Sequence, residues 1–314
     1  MIVTITGGTG FIGKKLALRH LARRDEVRVL SRSAPELPGL PDKVKYFTGD
    51  LTNIDSLHAF ADGADVLYHC AGQLTDEGAM RALHVEGTRN LVEVAARHRI
   101  GHWVQLSSVG VYGPVSEGDI TEEFPVNPVG EYEITKVKSD ELVLDAALQE
   151  RFSCTILRPS NVFGADMKNQ SLFGMINMIN RGLFFFIGKP GASANYIHVD
   201  NVVEALVRCG TMQAAKGRIY NLSDHCSMES MIGVIAGELE CRLPALRMPE
   251  FLVRWAARIL EVIPGFPLSQ SRVDALTNHA VYPIDRIQKE LDYAHIISME
   301  KGLRQLVAAF KHRQ

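Results

Sequence analysis

The stretch Thr6-Gly7-Gly8-Thr9-Gly10-Phe11-Ile12-Gly13 decides the fold, because it follows a strand-like run at Ile2–Thr6 and opens a helical pattern over Phe11–Arg23. Glycines at this position permit a tight turn and let the backbone approach a pyrophosphate. The N-terminus of the following helix offers free N–H groups and a positive dipole. The placement predicts a dinucleotide-binding loop. Its predicted cofactor contacts are Gly7, Gly10, Phe11, Ile12 and Gly13.

Short β-rich runs alternate with longer helical patterns through the first half of the chain, which is typical of parallel sheets built from βαβ units. The pattern predicts an α/β fold with a Rossmann-like, doubly wound parallel sheet of six strands. The predicted strands are Ile2–Thr6, Val27–Leu30, Val44–Thr48, Val66–Cys70, Trp103–Ser107 and Cys154–Arg158. The predicted helices between them include Ser56–Phe60, Met80–Arg99 and Glu131–Gln149.

The pattern loosens after Gly164, with a helix predicted at Asn169–Arg181 and further strands at Tyr196–Val199 and Arg218–Leu222. Asp200 or Asn201 is expected to cap the helix after the first of these strands. These signals predict a smaller, mixed and mainly helical substrate lobe. The predicted dinucleotide-binding domain is residues 1–165, joined by 194–224, and the predicted substrate lobe is 166–193 with 225–314.

The composition excludes several classes of protein. The 314 residues are 46% hydrophobic and carry a net charge of -2 without a basic stripe, so no nucleic-acid partner is expected. The five cysteines form no CxxC pair, and there is no HExxH motif, so neither a disulfide framework nor a metal site is expected. No uncharged apolar run reaches the roughly 18 to 20 residues of a bilayer span. A small-molecule enzyme in the cytoplasm, with no membrane partner, is the expectation.

The second strand ends in Leu30-Ser31-Arg32-Ser33, where a residue that reads the adenosine ribose is expected. No acid occurs before Glu36 to accept from a 2′-hydroxyl, whereas Arg32 can bind a 2′-phosphate. The sequence therefore favours NADP over NAD. Two other interpretations of Arg32 are a solvated charge and stacking on the adenine.

Tyr132 and Lys136 are four residues apart on a predicted helix, so they share one face of it. An ammonium group beside a phenol is expected to lower the pKa of the tyrosine and fit it for proton transfer near neutral pH. Ser107 and Ser108 end the fifth predicted strand, at the sheet edge where such folds bind ligands. A hydroxyl there could hold a substrate oxygen beside Tyr132.

With these residues the chain resembles the extended short-chain dehydrogenase/reductase family, in its NAD-dependent epimerase/dehydratase group, along essentially its whole length. The resemblance implies that Tyr132 is the catalytic acid/base, that Lys136 holds the ribose, and that Ser108 rather than Ser107 binds the substrate oxygen. The matching segments are TGGTGFIG at 6–13, GDL at 49–51, HCAG at 69–72, LSSVGVYG at 106–113, YEITK at 132–136, LRPSNVFG at 157–164, YIHVDNV at 196–202 and RIYNLS at 218–223.

The resemblance also implies further contacts and an assembly. Relatives commonly dimerise through helices like Met80–Arg99 and Glu131–Gln149, so a homodimer is expected. The implied binding residues are Asp50 and Leu51 at the adenine, Ala71 and Gly72 along the cofactor, and Arg158 and Asn161 near the nicotinamide and the substrate.

Two positions depart from the family pattern. His84 stands where relatives usually have Asn, and it either substitutes for that Asn or only packs. Ala194 stands where nucleotide-sugar enzymes often have a diphosphate-binding Arg, which weakens that assignment.

Three functions stay open on the sequence. The leading hypothesis is hydride transfer at a carbinol or keto carbon of a nucleotide sugar. The alternative is a hydroxysteroid-like or other hydrophobic-alcohol dehydrogenase or ketoreductase, which Ala194 and the apolar run at Leu183–Ile187 suggest. A third possibility, from another class, is a non-catalytic cofactor-sensing or assembly protein.

Overall fold

A computed structural model describes residues 1–33, 40–167, 171–260 and 269–313. Glu36 and the first two residues of the helix predicted at Asn169–Arg181 lie outside these ranges. The strands are β1 Ile2–Thr6, β2 Glu26–Ser31, β3 Lys45–Thr48, β4 Val66–His69, β5 His102–Leu106, β6 Glu117–Asp119, β7 Ser153–Pro159, β8 Asn161–Phe163, β9 Phe186–Ile187, β10 Ser193–His198, β11 Arg218–Leu222, β12 Asp224–Ser227, β13 Arg247–Met248 and β14 His279–Val281.

The helices flank these strands. They are α1 Phe11–Ala22, α2 His58–Ala61, α3 Glu77–Arg81, α4 Gly87–Arg97, α5 Glu131–Leu148, α6 Ser171–Asn180, α7 Val199–Thr211, α8 Met228–Glu238, α9 Glu250–Leu260, α10 Gln270–Thr277, α11 Asp285–Leu291 and α12 Met299–Lys311. A π-helical turn over Ala82–Glu86 joins α3 to α4, so the single helix predicted at Met80–Arg99 contains an irregularity that its sequence pattern does not indicate.

The central sheet is parallel and has the strand order β11-β7-β5-β4-β1-β2-β3. The doubly wound fold is thus confirmed, and all six predicted strands belong to the sheet. A seventh strand, β11, adds to the edge beside β7, because the predicted run at Arg218–Leu222 pairs with Thr155–Pro159. The strand order reverses between β1 and β4. The carboxyl ends of these two strands therefore flank the crevice where such sheets bind ligands.

The remaining strands form three small sheets, ordered β12-β10-β8, β13-β9 and β14-β6. Strand β10 runs antiparallel to β12 and parallel to β8, outside the central sheet. Helices α6, α8 and α12 contribute to an apolar cluster around Phe173, Ile235 and Leu306. A smaller mixed region accompanies the main sheet, as predicted. The residue boundaries of the two domains stay a prediction.

The start of α7 differs from expectation. His198, not Asp200 or Asn201, caps this helix, because its Nδ1 accepts from the Asp200 N–H at 3.3 Å. Asn201 is fully buried in the first turn of α7, and its amide binds the backbone of Ile296 and Ile297.

No helix among the described residues is long and apolar enough to cross a bilayer. The five cysteines are all free thiols.

Candidate active site

The glycine loop packs tightly on the loop that follows β4. Gly7 has a φ of 66°, a left-handed conformation that favours glycine, and a Cβ there would lie 2.7 Å from the backbone nitrogen of Ala71. The Gly10 N–H donates to the Gly7 carbonyl at 2.9 Å, and α1 starts at the next residue. The structure therefore brings together the predicted cofactor residues on the two sides of the strand-order reversal. Gly72 follows as an exposed residue.

Phe11 and Ile12 form the first turn of α1, and their half-buried side chains pack against apolar clusters. Any contact they make with a pyrophosphate would therefore use their backbone N–H groups. Gly13 cannot carry a side chain, because a Cβ would collide with the Gly7 carbonyl oxygen.

Arg32 and Asp50 lie near each other beyond the ends of β2 and β3. Hydrogen bonds from the Thr52 N–H and hydroxyl, both 2.8 Å long, lower the pKa of the Asp50 carboxyl, and the Arg32 charge adds to this effect. Arg32 is exposed and makes no ion pair with any of the described residues. Leu51, the other residue predicted to contact the adenine, is buried in the core and its side chain is only 4% exposed.

The two serines at the end of β5 have different surroundings. Ser107 is buried, and its hydroxyl donates to Asp140 Oδ2 at 2.6 Å. Ser108 is half-buried and starts a 3-10 turn at Val109–Tyr112, with its Oγ accepting from the Gly110 N–H at 3.1 Å. Ser108 is therefore the more accessible hydroxyl, as its predicted role requires.

Tyr132 and Lys136 lie on the first two turns of α5. Burial, together with the charges of Glu133 and Asp140, raises the pKa of Tyr132 to about 12. Lys136 is buried and its Nζ donates to the Leu106 carbonyl at 2.6 Å. The net pKa of Tyr132 is thus raised, whereas the spacing to Lys136 predicted a lowered one, because desolvation of the phenol dominates. Tyr132 consequently keeps its proton at neutral pH.

His84 lies in the π-helical turn and connects the loop after β4 to α5. Its Nε2 accepts from the Gln73 N–H at 2.9 Å, so we assign the proton to Nδ1, which donates to Thr135 Oγ1 at 2.8 Å. Burial, and then the charge of Lys136, lowers the pKa of His84 to about 4. The ring meets Tyr132 edge to face with centroids 5.7 Å apart. A neutral His84 therefore fixes the helical turn that carries Tyr132.

Arg158 and Asn161 occupy different environments. Arg158 is only 6% exposed, donates to the Tyr112 hydroxyl at 3.0 Å and lies 3.9 Å from Asp140 Oδ2. Asn161 is exposed, and its Nδ2 donates to the Asn195 carbonyl at 3.3 Å. Asn161 is thus open to a ligand, whereas the Arg158 guanidinium is engaged beneath the site.

Sequence reasoning missed the buried acid of this network. Asp140 is 2% exposed and accepts from Ser107, while the Tyr112 hydroxyl donates to Asn221 Oδ1 at 2.8 Å. Burial raises the pKa of Asp140, and the charges of Arg158 and Lys136 oppose that rise. The sequence did indicate a place for Asp140 in the site, because it follows Lys136 by four residues and so shares the same face of the helix.

Ala194 is fully buried, in the same apolar cluster as Phe184 and Phe186. The described residues include no group of three or more His, Cys, Asp or Glu that could hold a metal ion.

Comparison with known proteins identifies the class. Residues 3–223 match the NAD dependent epimerase/dehydratase family, which is more than half of the chain. The protein belongs to this family and is an NAD-dependent enzyme of the epimerase/dehydratase type.

Three curated relatives match almost the entire chain. The 4-hydroxy-2-methyl-3-oxo-4-farnesyl-3,4-dihydroquinoline-1-oxide ketoreductase of Stigmatella aurantiaca is 28% identical, over 95% of this chain and 93% of its own. The 3 beta-hydroxysteroid dehydrogenase/Delta 5-->4-isomerase of Mycobacterium tuberculosis is 27% identical, over 96% and 88%. The dTDP-glucose 4,6-dehydratase of Streptomyces griseus is 25% identical, over 98% and 94%.

Proposed function

We propose that this protein reduces a keto group, or oxidises the corresponding alcohol, on a hydrophobic ring substrate. The observation that carries the proposal is the position of Tyr132 in the first turn of α5. From the next turn Lys136 reaches the Leu106 carbonyl at the end of β5, two residues before the accessible hydroxyl of Ser108. A nicotinamide cofactor bound over the glycine loop would supply or accept the hydride.

In the reducing direction the substrate carbonyl oxygen is held by the Ser108 hydroxyl. Tyr132 donates its proton to that oxygen as the carbon receives hydride, so an alcohol forms and a phenolate is left. The buried ammonium of Lys136 offsets the charge of this phenolate. Asp140 on α5 accepts a hydrogen bond from Ser107 and lies 3.9 Å from Arg158 on β7, so these contacts connect α5 to the ends of β5 and β7.

The substrate class follows from Ala194 and from the relatives. A fully buried alanine offers no charge to a diphosphate, which argues against a nucleotide sugar. Two of the three relatives above are named for a farnesylated ketone and for hydroxysteroids. A nucleotide sugar is the second candidate, and the match to the dTDP-glucose dehydratase favours it.

Replacing Tyr132 by Phe tests the chemistry. We expect kcat for ketone reduction to fall at least about 100-fold, because the proton donor is lost, while the Kd of the cofactor changes little. The assay follows cofactor absorbance with hydrophobic ring ketones, and with UDP- and dTDP-sugars as the comparison. Unchanged turnover in Tyr132→Phe would refute the mechanism. Turnover of the sugars alone would select the second candidate, and no turnover of either substrate class would refute both substrate proposals.

Three finer features belong to this proposal. We propose NADP(H) as the preferred cofactor on the basis of the exposed Arg32. We further propose a homodimer formed through α4 and α5. We also propose a location in the cytoplasm, because five free thiols suit a reducing compartment.

A further inference from the structure

Helix α9 presents an apolar face that the described part of the chain leaves uncovered. Val253 and Ala257 are buried, in a small cluster with Ile187 and Val273. The opposite face carries four large apolar side chains and one cation. Their exposed fractions are 70% for Phe251, 43% for Leu252, 67% for Trp255 and 51% for Ile259, and Arg258 is exposed between them.

The apolar face itself carries only positive charge, whereas the acids Glu250 and Asp274 lie on the flank of the helix and pair with Arg254. The run from Phe251 to Ile259 contains two arginines and no acid. Arg254 is neutralised on the flank of the helix, by Glu250 and Asp274 at 2.7 Å each. Arg258 forms no ion pair with any residue in the described ranges. Beside the start of the helix, exposed Lys189 lines a groove of ≈ 680 Å³ with Phe251.

We propose that α9 docks this protein on the surface of a lipid bilayer that contains anionic phospholipid. An aromatic and aliphatic helix face with arginine at its border is the pattern of helices that lie in the plane of a membrane interface. The apolar side chains enter the acyl boundary, and the guanidinium of Arg258 reaches the lipid phosphates. This contact is peripheral, so it agrees with the absence of a spanning helix among the described residues.

Charge favours a bilayer over a second copy of the chain. A symmetric contact through α9 would bury Arg258 of both copies between apolar faces on which the described residues place no carboxylate for either. An anionic lipid surface supplies the missing negative charge. The sequence indicated no membrane partner, because that expectation considered only spanning segments.

The two tryptophans make the proposal directly measurable. Trp103 is fully buried and Trp255 is 67% exposed, so a change in emission on adding vesicles reports Trp255. With intact protein and phosphatidylcholine/phosphatidylglycerol vesicles, we expect a shift to shorter wavelength and quenching by brominated lipid. Trp255→Phe should remove both signals and keep vesicle binding in a sedimentation assay.

A matched pair of variants tests the face itself. Ile259 on α9 is 51% exposed, and Ile296, in the loop between α11 and α12, is 50% exposed. Ile259→Ser should weaken vesicle binding about tenfold, while Ile296→Ser changes it less than about twofold. Arg258→Gln should weaken binding to vesicles with phosphatidylglycerol about fivefold, and it should change binding to phosphatidylcholine vesicles little.

Three results would overturn the proposal: no emission shift with anionic vesicles, equal losses in the two isoleucine variants, or a dimer that Ile259→Ser dissociates. None of these readouts depends on turnover, so the inference stands or falls apart from the proposed hydride chemistry.

Discussion

At the scale of single residues, Arg32 offers the sharpest test of cofactor choice. Its guanidinium is exposed beyond β2, without a carboxylate partner among the described residues, and close enough to Asp50 to lower the pKa of that carboxyl. Arg32→Ala should weaken NADPH binding about 10- to 100-fold, because a charged hydrogen-bonding partner contributes about 1.5–3 kcal/mol. NADH binding should change less than about threefold.

The control for that measurement is Arg151→Ala, because Arg151 is an exposed arginine outside the predicted site. Calorimetric titration of both cofactors against all three proteins gives the comparison. Tighter binding of NADH than NADPH by the unaltered chain would show that Arg32 does not select the phosphate.

Sequence spacing predicted that Tyr132 and Lys136 share one helix face, and the family resemblance selected Ser108 rather than Ser107 at the end of the fifth strand. Neither could rank the physical effects acting on these residues, since the pKa of Tyr132 depends on burial that only the packed structure reveals. The same limit applies to Arg158. Its motif suggested a substrate contact, whereas the fold encloses it with Tyr112 and Asp140.

At the scale of elements, the π-helical turn predicts a positioning role for His84. His84→Ala removes the acceptor of the Gln73 N–H and the partner of Thr135, so the first turn of α5 should loosen. We expect kcat to fall about tenfold with little change in cofactor Kd, and the free energy of unfolding to fall by about 1–3 kcal/mol.

Conservative variants distinguish a positioning role of His84 from a role in packing alone. His84→Gln can restore the acceptor for Gln73, and His84→Asn can restore the contact to Thr135, so each should recover part of kcat. Because burial lowers the pKa of His84 to about 4, it is neutral above pH 5 and should add no step to the pH profile of kcat there. Full activity in His84→Ala would show that the histidine only packs.

Periodicity predicted the elements better than their irregularities. The six strands were found because runs of β-branched and aromatic residues with clear boundaries indicate strands, even at the edge strand β3, which has no buried residue. The π-helical turn was missed because one extra residue in a turn hardly disturbs the apolar spacing of a long helix. The cap of α7 was missed because histidine is not among the usual capping residues.

At the scale of the whole molecule, Asn201 joins the central sheet region to the chain near the C-terminus. Its amide donates to the Ile297 carbonyl at 2.8 Å and accepts from the N–H groups of Ile296 and Ile297 at 2.9 and 3.0 Å. Asn201→Ala should lower the free energy of unfolding by about 2–4 kcal/mol, because fully buried hydrogen bonds lose their partners. Urea unfolding measures the change.

Asn53→Ala is the matched control, because Asn53 is exposed and its side chain makes no capping hydrogen bond. We expect the free energy of unfolding of Asn53→Ala to stay within about 0.5 kcal/mol of that of the unaltered chain. Equal stability of the two variants would mean that Asn201 does not hold the C-terminal segment in place.

The position of β11 has a consequence for synthesis on the ribosome. Edge strand β11 comes from residues 218–222, and it pairs with β7 from residues 153–159. The sheet therefore cannot close until more than two-thirds of the chain has been translated, and until then β7 exposes an unpaired edge. The family match ends at residue 223, one residue after the last strand of this sheet. Helices α8 to α12 follow β11 in the chain, so they leave the ribosome after every strand of the central sheet.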